Sequence, residues 1–148
     1  MEAAARGAVE AGGHTIGVTL ASFSARRGGA NPYIRQEVPT FDLLSRLNTL
    51  LRLGRAYVAL PGGTGTLLEL AAAWEMLAKG LLPPRRPLIL LGQYWQPVVE
   101  LASGDRPVEL QPLVVGSVSE VIALLLKTWN AQPAPGTAAA DPGDVDPP

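Results

Sequence analysis

A chain of 148 residues with 47% hydrophobic and 17% charged residues is about one domain's worth of sequence, with enough apolar material to build a core. A formal net charge of -1 leaves no electrostatic footprint for DNA or RNA, the absence of cysteine excludes thiol chemistry and disulfides, and a single histidine, His14, argues against a zinc centre. No uninterrupted apolar stretch is long enough to span a membrane, and Met1 opens a Glu/Ala/Arg segment rather than a signal peptide, so a cytoplasmic protein is expected.

Along the chain, Glu2 to Ala11 reads as a helix stopped by Gly12-Gly13. Thr15 to Leu20 is a β-branched run and a predicted strand. Residues 21–39, with Arg26-Arg27-Gly28-Gly29, show no period and read as a long surface loop. Asp42 to Leu53 is a predicted helix with Leu43, Leu47, Leu50 and Leu51 on one face. A strand at 56–60, a glycine turn and a helix from Thr66 to about Lys79 follow. After the Pro83, Pro84 and Pro87 connector, Leu88 to Leu91 is wholly apolar, as a parallel strand buried on both faces should be. Trp95 to Ala102 reads as a helix and Leu113 to Val115 as a strand, and a last helix capped by Ser117 or Ser119 runs to about Trp129. From Ala131 the composition turns to proline, alanine and aspartate, so 1–130 is expected as the folded domain and 131–148 as a disordered tail. Strands alternating with helices at this spacing predict an α/β fold built on a parallel sheet with helices on both faces. Because the chain opens on a helix, a sheet of this class is expected to have strands ahead of residue 1.

The most informative stretch is Tyr57-Val-Ala-Leu-Pro-Gly-Gly-Thr-Gly-Thr-Leu-Leu-Glu69. A short strand stops at Pro61, three glycines (Gly62, Gly63, Gly65) make a tight turn, and an apolar helix opens. Glycines allow a ligand to come close, and a helix start offers unpaired N–H groups and the positive end of a dipole to a phosphate. Glu69, read as lying in the first helical turn, places a carboxylate beside that ligand. A purely structural reading stands next to this one: Thr66 and Glu69 also fit a capping box, in which both side chains only satisfy orphan N–H groups. Arg46, on a leucine-rich helix, reads by itself as a solvated arginine, and Trp74 and Met76 as core or interface residues.

Pro61 to Glu69 reproduces the Pro-Gly-Gly-x-Gly-Thr-x-x-Glu motif of the LONELY GUY family, whose members were long mislabelled lysine decarboxylases, and Arg46 stands fifteen positions before the motif proline, where that family has an arginine. The segment 11–18, Arg86-Pro87 before an apolar strand, and Gly92-x-Tyr94-Trp95 after it resemble the family more loosely, and the resemblance spans nearly all of residues 1–129. It implies a Rossmann-like three-layer fold from which the family's N-terminal strands are absent here. It also implies cleavage of the N-glycosidic bond of a nucleoside 5′-monophosphate, giving a free base and ribose 5-phosphate, with cytokinin-type nucleotides or AMP as substrates. In that resemblance Gly62, Gly63, Thr64, Gly65 and Thr66 hold the 5′-phosphate, while Glu69 and Arg46 are catalytic. No cofactor is implied, and relatives are homodimers or larger homo-oligomers. Leu47 and Ala72 stand where many members have a lysine and a second acid. The alternative is a non-catalytic nucleotide- or molybdenum-cofactor-binding protein on the same fold. Amino-acid decarboxylation fits poorly, since Lys79 and Lys127, both late in helices, offer no Schiff-base position near the motif.

Overall fold

The computed structural model describes residues 1–21, 31–104 and 111–130; Arg26-Arg27 and the segment 131–148, read above as a disordered tail, lie outside the described residues. Helices and strands alternate as α1 (Glu2–Glu10), β1 (Ile16–Leu20), β2 (Gln36–Thr40), α2 (Leu43–Leu53), β3 (Tyr57–Ala59), α3 (Thr64–Ala78), β4 (Leu88–Leu91), α4 (Gln96–Ser103), β5 (Leu113–Val115) and α5 (Val118–Asn130). All strand pairing among the described residues is parallel. The fold is α/β with parallel strands, as the alternation predicts, and Rossmann-like, as the resemblance implies.

β4 explains the layering. Its alternate side chains point to opposite faces, and both faces are covered. Leu88 and Leu90 join a core with Leu51 of α2, Leu70, Ala73 and Trp74 of α3, and Val99 of α4. Ile89 packs on the other side against Val115 and Val121, with Leu124 and Leu125 of α5 around it. Ile89 and Leu90 are both 0% exposed, which is why this strand reads as an unbroken apolar run.

Two expectations are corrected. Residues 36–40 are not loop: they form β2, which pairs with β1 in the register Ile16↔Gln36 to Leu20↔Thr40. The segment Gln36-Glu37-Val38-Pro39-Thr40 hides this because β2 is paired on one side only, where polar side chains and a proline are tolerated. Ligands of open α/β sheets bind at the ends of central strands, so the strand that leads into the glycine turn is expected to be a central one. Instead β3 is an edge of the three-stranded sheet β3-β4-β5, and β4 is its centre. The pair β1-β2 forms a separate sheet among the described residues.

α2 ties the two sheets together. Asp42 caps its start, its side chain accepting from the Ser45 N–H, so the helix begins where the sequence places it. Its buried Leu51 belongs to the main core. At its other end Arg86 reaches across from the proline connector, with Nη1 donating to the Leu51 carbonyl at 3.1 Å and to the Gly54 carbonyl. A cation over orphan carbonyls is the favourable arrangement at a helix C-terminus. In α5 the cap is Ser117 rather than Ser119: its Oγ accepts from the Glu120 N–H at 3.3 Å.

Candidate functional site

The turn Pro61–Gly63 follows the carboxyl end of β3, and α3 opens directly from it with Gly63 as N-cap. Helix formation thus starts at Thr64, two residues earlier than the start read from the sequence. That shift moves Glu69 from the first helical turn into the second, about 7–8 Å along the axis from Thr64. It also removes the capping box. The N-cap Gly63 has no side chain to cap with, and no side-chain cap is formed. The first three N–H groups of α3, those of Thr64, Gly65 and Thr66, have no place in the helical ladder, which begins with the Leu67 N–H donating to the Gly63 carbonyl at 3.0 Å.

The glycines divide into two kinds. A Cβ on Gly62 would run into the Thr66 side chain, so this glycine is required by the fold itself. At Gly63 and Gly65 a Cβ would meet nothing within 4 Å, and the Gly63 φ of -99° is open to any residue. Among the described residues nothing asks for glycine there, and a glycine in the first turn of a helix is locally unfavourable. The unfilled space above these two residues is where a ligand could approach the free N–H groups.

Glu69 and Arg46 meet. Arg46 Nη1 lies 2.6 Å from Glu69 Oε1, and the two side chains are 18% and 32% exposed. The same guanidinium donates through Nε to the Val18 carbonyl at 3.0 Å. In a β-strand the carbonyls of successive residues face opposite edges. Those of Thr15 and Thr19 serve the β2 side, so the Val18 carbonyl faces the other edge of β1. Arg46 therefore bridges the open edge of β1 to the motif helix through one planar fork, which lysine could not reproduce. The arginine expected to be solvated is half-buried and bonded through both Nε and Nη1. Glu69 Oε2 accepts no hydrogen bond among the described residues and remains available.

Two side chains from the β4–α4 connection complete the site. Tyr94 Oη donates to the Gly62 carbonyl at 3.0 Å, and Trp95 Nε1 to the Leu60 carbonyl at 3.0 Å. Both hold the turn from beneath. Their one signal in the sequence is Gly92-x-Tyr-Trp at the end of an apolar strand, where parallel sheets gather their functional loops. A cavity of about 340 Å³ lined by Trp74, Leu77, Arg85 and Leu113 lies at the amino ends of β4 and β5, the opposite end from this turn.

A family model described as "possible lysine decarboxylase", the LONELY GUY family, matches residues 1–110. The chain belongs to this family. A curated protein of Rhodococcoides fascians named cytokinin riboside 5′-monophosphate phosphoribohydrolase is 31% identical over 97 residues, which is 64% of this chain and 48% of the relative. The chain thus spans about half the length of that curated relative. Among the described residues no helix is long and apolar enough to cross a membrane.

Proposed function

We propose that the chain is a nucleoside 5′-monophosphate phosphoribohydrolase, with Gly62–Thr66 as the phosphate turn and Glu69 and Arg46 as the catalytic pair. The observation that carries this reading is the 2.6 Å contact between Arg46 and Glu69 one helical turn beyond a row of unpaired N–H groups. A 5′-phosphate seated on that row leaves the ribose facing the carboxylate.

The chemistry follows from the charges. As the C1′–N bond breaks, its electron pair leaves on the base and the ribose acquires oxocarbenium character. A carboxylate beside it stabilises that charge and accepts a proton from the water whose oxygen bonds to C1′. That proton is passed on to the departing base, which restores the carboxylate, so free base and ribose 5-phosphate are the products. Arg46 stays protonated throughout and holds one oxygen of Glu69, directing the other toward the sugar. The relative's name supports a cytokinin-type riboside monophosphate as substrate, and AMP is the unmodified form of the same chemistry. We place the protein in the cytoplasm as a homodimer that packs α3 and α2 against a second copy.

The test is a product assay on the purified protein with AMP and with an N6-modified AMP, following free base and ribose 5-phosphate, and with the matching unphosphorylated nucleosides. Both products should form from the monophosphates alone. Glu69→Ala should lower turnover by about 10²- to 10⁴-fold while AMP still binds, since the backbone N–H groups remain. Arg46→Ala should lower turnover as well. Nucleotide binding without ribose 5-phosphate formation would instead favour a carrier or sensor.

A further inference from the structure

The peptide joining Gly62 to Gly63 lies between two residues without side chains, so its own covalent structure does little to hold its plane. In a trans peptide the carbonyl and the N–H point in opposite directions, and the described residues contain no cis bond. The unit can therefore turn either the Gly63 N–H or the Gly62 carbonyl oxygen to the open side of the turn. For an anion these are opposite surfaces, one attractive and one repulsive.

Tyr94 makes the choice. Its Oη donates to the Gly62 carbonyl at 3.0 Å and so draws that oxygen to its own side. The tyrosine is itself held: its ring stands edge-on to Trp95, with centroids 4.8 Å apart and planes at 87°. Trp95 is 5% exposed and anchored to the Leu60 carbonyl. Gly92, at φ +80°, turns the chain out of β4 so that both rings come back under the end of β3. Tyr94 is 57% exposed, and its hydroxyl would be equally well satisfied by water. Fold stability does not account for its aim.

We propose that Tyr94 is a positioning residue for phosphate recognition: its hydroxyl locks the Gly62–Gly63 peptide with the carbonyl turned toward the ring and the Gly63 N–H turned away from it, ready for a phosphoryl oxygen. This rests on the phosphate-turn reading given above. Tyr94→Phe keeps the ring and its contact with Trp95 and removes only the hydroxyl. Calorimetric titration of wild type and variant with AMP and with ribose 5-phosphate should show both ligands weakened by the same factor, about 3- to 10-fold, with Tm unchanged. In ¹⁵N-labelled protein the Gly63 amide resonance should move on adding ribose 5-phosphate to wild type, and move less in the variant at equal saturation. Equal affinities in wild type and Tyr94→Phe overturn the proposal and leave the phosphate turn standing. A fall in Tm that tracks the fall in affinity assigns Tyr94 to fold support and also overturns it. Wild type that binds neither ligand removes the proposal and the phosphate turn together.

Discussion

Gly62 and Gly65 sit three residues apart in one motif and should respond to the same substitution in opposite ways. Gly65→Ala adds a methyl into open space and replaces the less favourable helix residue. It should raise stability by about 0.5–1 kcal/mol while weakening AMP binding, because the methyl occupies the ligand's approach. Gly62→Ala pushes against Thr66 and should lower stability by about 1–3 kcal/mol. Thermal unfolding of the two variants, read beside AMP titrations, checks both. Loss of stability in Gly65→Ala would mean that the fold, not a ligand, requires that glycine. Glu69 makes a related point. Its spacing from Thr66 suits a capping box and equally suits a catalytic acid, and the spacing alone does not choose. The helix start at Thr64 excludes the cap, and the carboxylate is held instead by the guanidinium of Arg46, twenty-three residues earlier.

α2 carries Arg46, so its ends matter to the site. At its start the Ser45 hydroxyl and then the Ser45 N–H hold the Asp42 carboxyl below its ordinary value of 3.8. The folded state thus binds a proton here less readily than the unfolded chain. The stabilisation is complete above the ordinary value and is lost as pH falls through the lowered one. Asp42→Asn keeps an acceptor for the Ser45 N–H and cannot titrate. Its unfolding temperature should therefore vary less than wild type's between about pH 5 and pH 2. An identical acid limb in both would refute a role for this cap. At the other end, Arg86→Met should lower stability by about 1.5–3 kcal/mol, the range for hydrogen bonds made by a charged group, because the Leu51 and Gly54 carbonyls lose their charged donor and are left to share the Tyr57 hydroxyl.

The folded chain leaves apolar surface near its own site. α3 is apolar nearly all round (Leu67, Leu68, Leu70, Ala71–Ala73, Trp74, Met76, Leu77), yet only Leu70, Ala73 and Trp74 are buried. A helix apolar on every side is normally covered on every side. Phe41, just before α2, is 93% exposed, and Leu44, in the first turn of α2, 72%. A second copy of the chain packing on this surface would cover them together. Light scattering at micromolar concentration should give the mass of a dimer, and Phe41→Asp with Leu44→Asp should shift it to a monomer. A monomeric wild type would exclude this interface.

The elements themselves are legible in the sequence wherever local physics sets them. The apolar run of β4, the glycine stop after α1 and the strand–glycine–helix corner at 57–69 all appear within a few residues of their places, because backbone geometry and burial on both faces write directly into composition. The motif and the spacing to Arg46 were likewise enough to indicate the family. What no local pattern encodes is pairing between distant segments. β2 hides in a polar, proline-containing stretch because an edge strand needs no apolar period. β3 falls at an edge because hydrogen-bond partners are chosen in three dimensions. Arg46 reads as a solvent residue until folding brings it between the Val18 carbonyl and Glu69, and Tyr94 gains its role only when Gly92 turns it back under the glycine turn. Side chains that act across the fold are assigned by where the chain returns, and that is settled by packing around β4.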